Sequence, residues 1–262
     1  GNAIKYASKA SIVNGGQTTV SIFNAYRKGT DLTKVYVPIK FIHLTSTNPI
    51  ANKSLLDAIS RFSNTQSKVN DADRMVNMAP HPELQKISEK ERLFSDGHGW
   101  YYERRRGEIR TKELTRTKRE FEVWSTRFKP QHVIRASEIG VAWNAWWGSP
   151  HIGASGKNKG FLHYHNELTM RIARRSWDAE LHHKKTIGLA KLHNFGKDYM
   201  ANEFSGLRSA TLPHVLGWFS HIMENQFDLL SLWRVSELPE VVTNAFASLA
   251  GPVDQLIRNH QD

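Results

Sequence analysis

The chain has 262 residues, with 36 Lys/Arg against 25 Asp/Glu and a formal net charge of +11. It has no cysteine, which excludes disulfides, thiolate nucleophiles and Cys-based metal or cluster sites. Its 12 Phe, 8 Trp and 7 Tyr supply enough buriable area for a folded core, and no apolar run approaches the roughly 20 residues of a membrane span.

The first element lies in Ile12-Val13-Asn14-Gly15-Gly16-Gln17-Thr18-Thr19. A short apolar run over 10–14 reads as a strand, two glycines make a tight turn, and polar residues open a helix over 17–28. Amides at that helix start favour an anion, and Gln17, Thr18 and Thr19 add side-chain donors and acceptors. The same pattern also reads as an ordinary strand-to-helix turn. Residues 35–44 read as a second strand, with Pro38 placing it at an edge or bulge. A helix is expected over 52–63, with Leu55, Leu56, Ile59 and Phe62 on one side. Asn64 and Gln66 follow it, with amides suited either to base edges or to loop backbone.

A helix over 82–94 and a strand over 100–105 come next. The strand carries Tyr101-Tyr102-Glu103-Arg104-Arg105-Arg106, with Tyr102, Arg104 and Arg106 on one face and Tyr101, Glu103 and Arg105 on the other. One face suits phosphate and base contacts. The competing reading is a basic edge strand that resists aggregation. Residues 111–128 read as one amphipathic helix, Leu114, Phe121, Trp124 and Phe128 forming its apolar stripe and Lys112, Arg116 and Arg119 a basic one. Further helices are expected near 138–147, 161–180, 186–194, 213–229 and 239–258, with a loop over 148–160 and Pro213 in a first turn. Trp143, Trp146 and Trp147 read as core aromatics. Together these elements define an α+β protein: an α/β-like N-terminal part with a small sheet, then a mainly helical part. A boundary near Lys129-Pro130 gives units 1–130 and 131–262, or one continuous domain.

Asn14-Gly15-Gly16-Gln17-Thr18, Asn64-Thr65-Gln66 and Tyr102-Glu103-Arg104 through Gly107, in that order and spacing, resemble the AIPR family of bacterial abortive-infection phage-resistance proteins. The resemblance implies a phage-defence role and a ligand site shared by Asn14, Gly15, Gly16, Gln17, Thr18, Asn64, Gln66, Tyr102 and Arg104. Family members are usually longer, with an upstream region often resembling a restriction nuclease. The start at Gly1-Asn2-Ala3, without an initiator Met, reads as the C-terminal portion of such a chain, an upstream domain of the parent chain being its partner.

Charge is unevenly spread. Residues 101–135 hold 11 Lys/Arg and 5 Asp/Glu, a net of +6; residues 157–197 hold 9 and 3, again +6; residues 198–262 hold 3 and 8, a net of −5. A polyanion partner suits this pattern, with Arg105, Arg106, Lys112, Arg116 and Arg119 as nucleic-acid contacts. A solvated basic surface is the alternative. His163, His165, His182, His183 and His193 lack the spacing of a metal site, and Asp71 and Asp73 read as helix caps, so no metal and no cofactor are expected. The expectation is a cytoplasmic phage-defence protein that binds nucleic acid or a nucleotide, with no membrane association and with homo-oligomers open. The rival readings are an enzyme in this chain, a nuclease or a ParB-like nucleotidase, and a protein-interaction module. The ParB-like reading rests on the likeness of Asn14-Gly15-Gly16-Gln17 to an Asp-Gly-Gln-x-Arg turn, from which Asn14 departs.

Overall fold

Gly15 turns the chain at φ 85° and starts helix α1 (Gly16–Arg27), with the Thr19 N–H closing onto its carbonyl at 3.0 Å. That φ is left-handed, a conformation glycine adopts without cost. The structure, a computed structural model, describes residues 12, 15–44, 48–63, 71–90, 94, 97–224 and 226–260. Most of the strand expected over 10–14 lies outside them, as do Asn64 and Gln66. The chain divides into two compact units, 1–69 and 70–262, each described by itself. Lys129-Pro130 falls inside the second.

The first unit holds α1 and α2 (Pro49–Ser63). The strand expected over 35–44 is absent: the segment is irregular, and Tyr36, Ile39 and Phe41 are exposed. A strand is made by pairing, and among the described residues this segment has no ladder partner, while Pro38 has no N–H to offer. Leu56 and Ile59 are half-buried on α2, whereas Leu55 is exposed, narrowing the apolar side expected there.

The second unit begins with α3 (Asp71–Met75) and α4 (His81–Lys90), then β1 (Tyr101–Glu103). Residues 111–128 are two helices, α5 (Glu108–Thr115) and α6 (Lys118–Arg127), where one was expected. The break is a capping box: Thr117 Oγ1 accepts from the Glu120 N–H, and Glu120 accepts from the Thr117 N–H at 2.8 Å. After a 3-10 turn at Pro130–His132, β2 (Val133–Arg135) pairs with β1 in parallel, Tyr102 opposite Ile134. Parallel neighbours need a crossover, which α5 and α6 supply. β1 is therefore covered on both faces: Tyr101 packs with Trp124, Phe128 and Val133, and Tyr102 belongs to the main core. The exposed edge strand considered from the sequence is not formed.

The rest is helical: α7 (Ala136–Trp146), α8 (Pro150–Ala154), α9 (Lys157–Ala173), α10 (Ala179–Glu203), α11 (Arg208–Ile222) and α12 (Glu240–Asn259). The loop expected over 148–160 contains α8, started by Pro150 in its first turn, and the first turn of α9. Helix α9 stops at Ala173, well short of 180, and α10 is much longer than the expected 186–194. Pro213 sits inside α11, where it cannot donate to the Ser209 carbonyl. Val215, Leu216 and Phe219 are buried as expected, but Ile222, at the helix end, is half exposed.

Helix α10 runs through the core with Ile187, Leu189 and Leu192 fully buried. Its Gly188 lets the 3-10 turn Leu229–Leu232 lie against it: a Cβ there would sit 2.2 Å from the Leu229 carbonyl oxygen. One turn on, the Lys191 ammonium donates to the carbonyls of Leu232, Trp233 and Val235 at 3.0, 2.9 and 2.6 Å. The ammonium thus fastens the segment after the turn, and it also lies over the rings of Phe94 and Trp100, at 5.5 and 5.7 Å.

Candidate functional site

The Tyr-Glu-Arg segment is held by a dense set of side-chain hydrogen bonds. Gln85 on α4 donates from Nε2 to the Tyr101 hydroxyl and to Glu108, each at 2.8 Å, and accepts from Arg104 Nε at 3.1 Å. Arg104 Nη1 donates to the Val76 carbonyl at 3.0 Å and to Asn77 Oδ1 at 2.8 Å. Glu103 is buried, pairs with Arg135 at 3.3 Å and accepts weakly from the Ile109 N–H. Residues 101–104 thereby tie the segment after α3 to α4, α5 and β2.

Arg105 is exposed and turns its guanidinium onto the same Asn77 Oδ1, with Nε at 2.8 Å and Nη2 also in contact. Two neighbouring guanidiniums thus meet at one uncharged oxygen. Among the described residues neither has a carboxylate partner for its guanidinium. Arg106, Arg110 and Arg119 are exposed nearby in sequence on the same stretch. Lys112 is held by Glu89 at 2.8 Å and lies over the Tyr101 ring, and Arg116 lies over Trp124. The second basic segment is more fully neutralised: Lys157 and Lys197 pair with Glu138, Lys184 with Glu180 and Lys185 with Asp228.

Tyr102 is wholly buried, so its ring has no open face for a base. Its hydroxyl reaches His81 Nδ1 at 2.9 Å, and His81 Nε2 reaches His165 Nδ1 at 3.1 Å. The Tyr164 ring lies 6.0 Å from that of His81, and its hydroxyl meets His182 Nε2 at 2.9 Å. Burial, then His165 and Arg104, push His81 down to about 3, and burial holds His182 well below its ordinary value. Burial also lowers His165 and raises both tyrosines. All five groups are neutral near pH 7. In each of these bonds the donor is set by the histidine tautomer, and neutral His81, with a partner on each ring nitrogen, donates to one and accepts from the other.

Of the residues assigned to a ligand from sequence, Gly15, Gly16 and Thr18 lie at the start of α1 in the first unit, Thr18 exposed. The Gln17 backbone is helical there. Tyr102 and Arg104 lie in the second unit; Asn14, Asn64 and Gln66 lie outside the described residues. The sequence reading did not single out Asn77, His81 or Gln85. His81 and Gln85 sit four apart on a helix, a spacing that puts them on one face, and that was the available signal.

The fold and this region define a class: a basic, predominantly helical α+β protein whose short parallel sheet carries an arginine-rich turn. The chain matches the family model described as AIPR protein over residues 1–261. It belongs to the AIPR family, the abortive-infection phage-resistance proteins. The match covers nearly the whole chain and lends no support to reading it as the C-terminal portion of a longer one. No curated protein and no solved structure matches it. No helix among the described residues is long and apolar enough to cross a membrane, and no group of three or more metal-ligating side chains occurs among them.

Proposed function

We propose that this phage-defence protein binds nucleic acid through the turn after β1 and the exposed basic side of α5 and α6. The convergence of Arg104 and Arg105 on Asn77 Oδ1 supports this reading. Two guanidiniums side by side repel one another, and a phosphate oxygen replaces an amide oxygen there with gain. Arg104, anchored by Gln85 and Val76, holds the turn; Arg105 and Arg106 present charge; Arg116 and Arg119 extend the surface.

A mobility-shift titration at two salt concentrations tests this. Arg116→Glu with Arg119→Glu should weaken binding and reduce the slope against log salt by about two, the loss of two phosphate contacts. Arg105→Glu should weaken binding further. A folded double variant with unchanged affinity and slope removes these helices from the contact surface.

A further inference from the structure

Arg171, on the last turn of α9, lies over the Trp147 ring at 4.3 Å. Both residues line a cavity of about 720 Å³ together with Trp143 and Trp177. That size is within the roughly 300–1,000 Å³ of small-molecule sites. Among the described residues, the indole Nε1 of Trp177 and the Nε of Arg171 are buried without a hydrogen-bond partner. A buried donor left without an acceptor weakens the fold. The neighbouring Trp143 shows the ordinary solution, donating to Thr186 Oγ1 at 3.1 Å. Both orphans are donors on residues that line the cavity, so acceptor-bearing groups suit it.

The charge agrees. Arg175 also lines the cavity and is exposed. Of the two carboxylates at the rim, Asp178 caps the Leu181 N–H at 2.9 Å and Asp228 pairs with Lys185 at 3.2 Å. The Arg171 and Arg175 guanidiniums remain uncompensated. Arg175 stands at φ 56°, closing α9 in a left-handed turn in which the Ser176 N–H reaches the Arg171 carbonyl at 3.1 Å. Glycine is the usual residue at that position, and a side chain is strained there.

We infer that this cavity binds a mononucleotide unit, its base stacked on the indole walls and its phosphate at Arg171 and Arg175. Indole faces accept any base, and guanidinium forks match phosphate oxygens. The unit comes either free or as part of a single strand. The inference is independent of the basic surface on α5 and α6.

Quenching of tryptophan fluorescence measures it. AMP, GMP, CMP and UMP are titrated beside their nucleosides, inorganic phosphate and a short single-stranded oligonucleotide. Saturable quenching by at least one nucleotide, about tenfold weaker for its nucleoside, is expected. Quenching by the oligonucleotide alone assigns the unit to a strand. Arg175→Gly should weaken binding about tenfold while keeping or raising Tm, since it relaxes the left-handed residue. Trp177→Phe should weaken it with the fold intact, and Arg116→Glu with Arg119→Glu should leave it unchanged. No saturable quenching by any nucleotide or the oligonucleotide, phosphate binding as tightly as a nucleotide, or wild-type affinity in both Arg175→Gly and Trp177→Phe would overturn the proposal.

Discussion

Arg104 and Arg171 belong to the same compact unit and use their donors in opposite ways. Arg104 delivers Nε and Nη1 to Gln85, Val76 and Asn77, all inside the chain. Arg171 lies on an indole with its Nε unmet. A satisfied guanidinium is a fastener, because its geometry is consumed by acceptors the fold supplies. An unsatisfied one is stability forgone in the unliganded protein. The difference separates a region that holds the molecule together from one whose donor the fold leaves unmet.

The widest test of this contrast is stability. Arg104→Ala and Gln85→Ala each leave buried acceptors or donors unmatched and should cost about 2–4 kcal/mol, read by urea unfolding. Arg171→Gln should cost under about 1 kcal/mol, because no hydrogen bond from Nε is lost. Equal losses at Arg104 and Arg171 would erase the distinction.

Acid should act on the fastened region next. His81 binds its proton near pH 3 when folded but near the ordinary 6.5 when unfolded. Its contribution is therefore fully present above pH 6.5 and is lost as pH falls from there toward 3, since the unfolded chain takes up the proton first. Between pH 7.5 and 5 this amounts to about 2 kcal/mol. His193, lowered to about 4 mainly by burial, adds in the same direction. Thermal melts at the two pH values check it, and a Tm that is flat or rises on acidification would contradict the buried neutral rings.

The smallest effect is expected at Trp177. Trp177→Phe removes an unmet donor and keeps most of the ring, so stability should change by less than about 1 kcal/mol or rise slightly. A large loss would show that the indole N–H has a structural partner after all. Thr117→Ala calibrates the scale: deleting this helix cap should cost about 1 kcal/mol.

What the sequence made legible follows the same physical divide. Long amphipathic or capped runs were readable: α1, α2, α7 and α12 lie within a few residues of their expected bounds, because their periodicity decides them locally. The helical start at Gly16 and the strand at Tyr101–Glu103 were also readable. Residues 35–44 were not, since β-rich composition makes a strand only when a partner is present. The split of 111–128 was written in Thr117-Lys118-Arg119-Glu120, a capping box that an unbroken apolar stripe outweighed. In the candidate sites, aromatic and basic composition singled out the Tyr-Glu-Arg segment, and the strand expected there is β1. It did not reveal that Tyr102 would face inward, because the second face of β1 is covered by helices far away in sequence. Trp143, Trp146 and Trp147 were rightly read as packing residues. Their role as cavity walls depends on Trp177, which arrives only because α9 ends at Ala173 and the chain turns at Arg175.

The hydrogen bonds from His165 through His81 to Tyr102 join three elements, α9, α4 and β1. His81 is fully buried and neutral, with one proton for two ring nitrogens, so it gives to one neighbour and takes from the other. The two links therefore turn over together or not at all. Removing the Tyr102 hydroxyl leaves one nitrogen of that buried imidazole unmatched, so a change on the strand is felt at the helix that carries His165.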